Sequence, residues 1–471
     1  MNVIDRSPEA ATRMSAVDPR SRVPDQREVI SGRLGHAGLI MILGSGSVLC
    51  VAASKTNALL PQSIRPDAVG SLAGAFSRVG FYLPAGGLIV ALTLMLVGYA
   101  LVVHNADRVS PRLALATVVS LVAVVLLAPP LVSTDLFSYQ EYARIFFGLH
   151  LNPYTHSSQV LALDPLYPYI GATWINTPTV YGPLFTLLSG VFADTSSTAA
   201  IAFSAYAYKT IAALSCLGIV WMMWRAARLR GLNPVRGTVL FGLNPLVVFY
   251  GVGGGHNDLL MMAFSTAAIW ALLSGRQRSS GALCVAGAAI KLTGGIFLLF
   301  ALAQNSRPRA GIRRHRVLLG GAVATAVTLQ ISLAVFGNGT TNMIHTLSAV
   351  QGEGGWQSVP GFLCTALHCA GARHLVTTLF GVAFLLICSN LLWRVWRDGL
   401  DWLEAAAWGT FWLLVTTSSI QPWYMSWMLV PAALCASRKL VTAAVWFSGW
   451  VMLTQMAFCL PHSPTILGFR T

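Results

Sequence analysis

The chain has 471 residues, 55% of them hydrophobic and only 10% charged, with a mean hydropathy of +0.65. A soluble domain carries about 25% charged residues, so this composition excludes a soluble fold and predicts an all-α polytopic membrane protein. The formal net charge of +15 would suggest nucleic acid in a soluble chain, but here the arginines cluster in short loops, as the positive-inside bias requires, so nucleic acid is excluded and the expected partner is the lipid bilayer.

Residues 1–35 are polar and mixed in charge and read as a disordered cytoplasmic tail. They lack the short apolar region and small-residue site of a cleaved signal peptide. Residues 36–471 read as one transmembrane domain. Spans are expected at 36–54, 81–103 and 113–132, with Arg108 and Arg112 marking a cytoplasmic loop before the third. That third span delivers Asp135 to the start of an outer loop, about 133–180, too long for a plain connector. Within it, 136–148 has the periodicity of an amphipathic interfacial helix. Asp135, Ser138, Tyr139 and Tyr142 share one face, and Phe137, Phe146 and Phe147 are the membrane-facing candidates.

Residues 184–193 are too few to cross and read as a dipping helix. A span at 199–224 runs inward to Arg225, Arg228, Arg230 and Arg236, and 237–251 returns to an outer turn, Gly253-Gly254-Gly255-His256-Asn257-Asp258. A further span, 259–274, ends at Arg276 and Arg278. Residues 281–303 look like one more span, yet Arg307, Arg309, Arg313, Arg314 and Arg316 follow. Both flanks of a single span cannot be cytoplasmic. The expectation is two short helices broken near Thr293-Gly294-Gly295, with Lys291 at the break, an arrangement tolerated where it lines a cavity. Residues 317–336 lead to a second outer loop, about 337–372. Spans at 374–396, 402–417, 425–436 and 440–460 complete about thirteen crossings. Of the eight cysteines, only Cys364 and Cys369 fall in an outer loop, and a helix between them would hold their Cα atoms too far apart for a disulfide.

Asp135 reads either as the cap of the helix that follows it or as a general base for an incoming hydroxyl. Its location decides for the base, because the polar residues gather around three outer loops on one side. His256, Asn257 and Asp258 read as a turn and helix cap, or as hydrogen-bonding groups for a sugar, a partner for Asp135 or metal ligands. They lack a diagnostic metal spacing, and no metal or cofactor is expected. Lys291 and Lys209 lie in apolar sequence, where a cation costs ~2.5–3.5 kcal/mol on insertion scales and usually has a function or partner. Either could hold a phosphate; Lys209 could instead snorkel beside Tyr206 and Tyr208. The tyrosines of the first loop, among them Tyr139, Tyr154 and Tyr181, suit an interfacial belt or a sugar pocket. So do Gln421, Trp423 and Tyr424.

Taken in order, Asp135 with Ser138-Tyr139, Gly148, Asn152-Pro153-Tyr154, Tyr181-Gly182-Pro183, Gly255-His256-Asn257-Asp258, Lys291 and Gln421-Pro422-Trp423-Tyr424 resemble the class C glycosyltransferases. More narrowly they resemble the bacterial polyprenyl-phosphomannose-dependent α-1,6-mannosyltransferases of lipomannan assembly. Many relatives carry a double acid where this chain has Asp135 followed by Leu136. The resemblance implies a plasma-membrane enzyme with its N-terminus cytoplasmic and its active site on the outer face. It would move a mannosyl unit from a polyprenyl-phosphate sugar donor to a glycolipid or glycan acceptor, with inversion. Asp135 would be the base, and Tyr139, Tyr154, Tyr181, His256, Asn257, Asp258, Lys291, Gln421, Trp423 and Tyr424 would bind substrate. The alternative class is a transporter or flippase for a lipid-linked sugar, which should show paired halves and polar groups near the midplane.

Overall fold

The computed structural model describes residues 26–64, 70–172, 174–304, 313–353 and 355–459, and every regular element among them is helical. In chain order these are α1 (Gln26–Ala52), α2 (Ala85–His104), α3 (Pro111–Leu127), α4 (Asp135–Ala143), α5 (Pro183–Ser189), α6 (Thr198–Leu229), α7 (Pro234–Gly242), α8 (Asn257–Leu273) and α9 (Gln277–Ile290). There follow α10 (Ile296–Ala303), α11 (Arg314–Phe336), α12 (Asn342–Glu353), α13 (Val359–Ala366), α14 (Arg373–Arg397), α15 (Trp402–Thr416), α16 (Met425–Ala433) and α17 (Arg438–Ala457).

Local chemistry sets several boundaries. Proline opens α3, α5 and α7, at the position where its missing N–H is not needed. Asp401 caps α15 by accepting from the Leu403 and Glu404 N–H groups. The third span ends at Leu127 rather than at 132, because Ala128 precedes Pro129 and is held extended (φ −70°, ψ 162°). At the other end of the chain, α1 begins at Gln26, so residues 26–35 continue the first membrane helix instead of belonging to a disordered tail. The expected tail through residue 25, together with Arg307 and Arg309, lies outside the described residues.

Among the described residues six helices are long and apolar enough to cross a membrane, or seven if α7 and the following turn Leu246–Val252, bent by 48°, form one span. The count of thirteen is not reached by length and composition, because several expected spans are short: α3 and α8 have 17 residues and α16 only 9. One end of the bundle is ionic. There Arg236 pairs with Asp107 and holds its carboxyl below the usual range, and Arg230 pairs with Asp401.

The segment from α9 to α10 is a hairpin. Lys291 is extended (φ −151°, ψ 127°), Leu292–Gly295 form a single 3₁₀ turn, and α10 runs back. Both ends of the hairpin meet the start of α11. The Arg313 N–H donates to Gln277 Oε1 at 2.9 Å, and the Arg314 guanidinium donates to the carbonyls of Ala303 and Gln304. The two flanks therefore share one side, and the break falls beside Thr293-Gly294-Gly295 as the arginine pattern predicts.

Two local expectations are corrected. Helix α4 is in place, but Leu136 through Ala143 are all buried, and Phe137 packs on Tyr169 instead of facing lipid. The long loop folds back over the helix and covers it. Cys364 and Cys369 are brought together because α13 ends before the second of them. His368 takes a left-handed φ of 53°, and the Cys369 N–H donates back to the Cys364 carbonyl. Their Sγ atoms are 3.1 Å apart as free thiols.

Candidate active site

Asp135 is the first residue of α4, and neither it nor Thr134 caps that helix through its side chain. Its carboxylate faces His256, with Oδ2 at 3.3 Å from the ring Nδ1. The Asp135 side chain keeps 14% of its surface exposed, whereas that of His256 is fully buried. An open acceptor backed by a fixed ring is the arrangement a general base needs. His256 is held in turn by Trp423, which stacks on it with centroids 3.3 Å apart.

Leu131, Val132 and Ser133 tie Asp135 to its place. The Leu131 N–H donates to the Gly253 carbonyl and the Val132 N–H to the Leu59 carbonyl, both at 3.0 Å. The Asp135 N–H donates to Ser133 Oγ at 3.2 Å. Val132 sits at φ 61°, a left-handed conformation that costs a non-glycine residue ~1–3 kcal/mol and persists only where the surroundings impose it. The glycine turn makes the close approach possible. Gly255 has φ 66°, and a Cβ there would lie 3.3 Å from the Lys209 backbone nitrogen.

Asp258 and Lys291 form the second half of the site. Lys291 Nζ donates to both oxygens of Asp258 at 2.9 Å, and Trp427 Nε1 donates to Oδ1 at 2.9 Å. The ammonium also stands over the rings of Tyr424 (4.5 Å) and Trp427 (5.5 Å), which stack on each other. Asp258 therefore caps nothing; it is a buried carboxylate satisfied by a lysine and an indole. Trp427 was not expected from the sequence. Its signal was its place three residues after Tyr424, on the same face of the helix.

The tyrosines form the wall beside Asp135. The Tyr139 hydroxyl meets Asn257 at its Oδ1 (3.4 Å) and accepts from its N–H (3.3 Å). Tyr139 packs edge-on against Tyr181, Phe185 and Tyr208. Tyr154 stands further back. It is buried, and its hydroxyl donates to the Tyr181 carbonyl at 3.0 Å, so it supports the wall. Gly182 links this wall to the hairpin: its N–H donates to the Ile290 carbonyl at 2.9 Å, and a Cβ would meet the Ala289 carbonyl at 2.2 Å. Gln421 is half-buried at the start of the turn that carries Trp423 and Tyr424. Every sequence-predicted site residue thus falls in one neighbourhood, with Tyr154 and Gln421 at its edges. Among the described residues no group of three or more His, Cys, Asp or Glu could hold a metal.

Comparison with known proteins finds relatives for this chain. Residues 33–306 match the profile described as alpha-(1->6)-mannopyranosyltransferase, N-terminal domain, and residues 346–459 match the MptB C-terminal domain. The chain is 28% identical to alpha-(1->6)-mannopyranosyltransferase A of Mycobacterium tuberculosis, over 89% of this chain and 83% of that one. It is 25% identical to alpha-(1->6)-mannopyranosyltransferase B of Corynebacterium glutamicum, over 67% of this chain and 58% of that one. No solved structure matches the chain. The site straddles the two matched regions: Asp135, His256, Asp258 and Lys291 come from the first, and Trp423, Tyr424 and Trp427 from the second.

Proposed function

The chain belongs to the alpha-(1->6)-mannopyranosyltransferase family and is a membrane mannosyltransferase, and on that premise we propose that it draws mannose from a polyprenyl-phosphate carrier and passes it to a hydroxyl of a glycolipid or glycan on the outer face of the plasma membrane. The observation that carries this reading is the partly open carboxylate of Asp135 at 3.3 Å from a buried, stacked His256.

The step is one displacement. The acceptor oxygen forms a bond to the anomeric carbon as the bond from that carbon to the phosphate oxygen breaks. The hydroxyl proton goes to Asp135, and polyprenyl phosphate leaves with the electron pair. A β-linked donor gives an α-linked product. Phosphate is a good leaving group, so no general acid is required. Lys291 spends two of its three protons on Asp258 and has one left for the phosphate, where charge develops. Tyr424, which is only half-buried, is open to the sugar, and Tyr139, Tyr181 and Trp423 back the wall behind it. Because the site draws residues from both matched regions, 36–471 is read as one functional unit, with its N-terminus cytoplasmic.

The test uses membranes from a host lacking the activity, with and without this protein, fed a radiolabelled polyprenyl-phosphate mannose. Protein-dependent, α-1,6-linked label in a glycolipid or glycan is expected. Appearance of intact donor on the opposite face with no transfer would make the protein a flippase and end this reading.

A further inference from the structure

Lys209 lies in the middle of α6 and is fully buried. Snorkelling is ruled out by where its ammonium goes. Nζ donates to the carbonyls of Val125 (2.9 Å), Pro129 (3.0 Å) and Ala128. Three carbonyl acceptors use all three protons of an ammonium, leaving none for a phosphate. The carbonyls are those at the C-terminal end of α3, where backbone acceptors are orphaned and the helix dipole is negative. Pro129 and Pro130 cannot supply an N–H to that end.

The same carbonyls open the short stretch that ends in Asp135. From Ala128 onward the chain has no helix of its own until α4 begins. Its far end is fixed by the Gly253 and Leu59 carbonyls, through the strained Val132. Its near end is fixed by Lys209. Gly255, adjoining His256, packs so close to α6 that a Cβ on it would lie 3.3 Å from the Lys209 backbone nitrogen, so one turn of α6 abuts both the Asp135 strap and the His256 turn.

We propose that Lys209 is a positioning residue for catalysis: its buried ammonium locks the exit of α3 and so sets the separation of Asp135 from His256. This rests on the reading of Asp135 as the base. Lys209 touches no substrate. Its removal acts on kcat through Asp135, while donor binding stays as it was.

The experiment is a double-mutant cycle of Lys209→Met with Asp135→Asn, with kcat and donor KM measured in membranes and melting temperature in detergent. Lys209→Met alone is expected to lower kcat about tenfold to a hundredfold, the scale of a misplacement near 1 Å, with donor KM within about twofold, since interactions lost only in the transition state leave KM unchanged. In the Asp135→Asn background it should cost nothing further, since residues acting through one group are not additive. Equal losses in both backgrounds would mean general damage and overturn the proposal. A raised donor KM at unchanged kcat would make Lys209 a donor contact and also overturn it. If Asp135→Asn alone keeps near-normal turnover, the base assignment fails instead, which is a separate outcome. Should the methionine variant fail to insert, Lys209→Gln, which keeps two N–H donors, takes its place in the cycle, and the same results support or overturn the proposal.

Discussion

His256 lies flat on Trp423, with planes 15° from parallel, and the stack fixes the angle at which Nδ1 meets Asp135. Burial pushes the Asp135 carboxyl up, but the His256 ring and the Lys291 ammonium outweigh it and hold it below its ordinary value of 3.8. A base works deprotonated, so activity is present above that pKa and is lost as pH falls through it. The acid limb of kcat/KM is expected below 3.8. His256→Gln removes the ring that lowers the carboxyl and should move the limb upward. A pH profile of kcat/KM checks this, and a limb unmoved by His256→Gln would remove His256 from the account.

Asp135→Asn keeps the size of the side chain and loses its proton affinity. Normal insertion and a loss of at least about 10²-fold in turnover are expected, the lower end for general base catalysis. Near-normal turnover in radiolabel transfer would sink the assignment.

Lys291→Met leaves Asp258 buried with only the Trp427 N–H. Breaking a buried pair costs ~3–5 kcal/mol, so the single variant should melt markedly lower. Adding Asp258→Asn removes the stranded charge and should restore most of the melting temperature. Donor KM should stay raised in both, because the cation is gone in both. Recovery of donor KM in the double variant would show that Lys291 serves only the fold.

Sidedness has a direct test. Leu163 and Asn338 are exposed in the two loops on the site's side, and Ser279 is exposed at the opposite end. In a cysteine-free background, Leu163→Cys and Asn338→Cys should react with a membrane-impermeant thiol reagent in intact cells, and Ser279→Cys should not. The reverse pattern would put the site in the cytoplasm.

The sequence was legible where chemistry is local. An aspartate just past an apolar run, a glycine turn before His256, and arginines on both flanks of 281–303 each announced themselves within one span and its flanks. Pairings across the chain did not. Asp258 meets a lysine 33 residues on and an indole 169 residues on, and periodicity carries no trace of either. The burial of Phe137 was equally hidden, since an apolar residue on a helix face points to lipid or to protein with the same letter. Lys209 read as a phosphate ligand or as a cation snorkelling beside Tyr206 and Tyr208. Its partners are backbone carbonyls, which are present at every residue and so leave no mark in the sequence.

The hairpin of α9 and α10 also settles a matter of parity. A segment that enters and leaves on one side adds no crossing, so every later helix keeps the orientation it would have had without it. If residues 277–304 were threaded straight through, α11 and all that follows would be turned over. Gln421, Trp423, Tyr424 and Trp427 would then emerge on the face opposite His256. The single extended residue at Lys291 thus decides whether the two halves of the chain confront each other or are separated by the bilayer, and a variant that straightens it should give a protein of full length whose halves never meet.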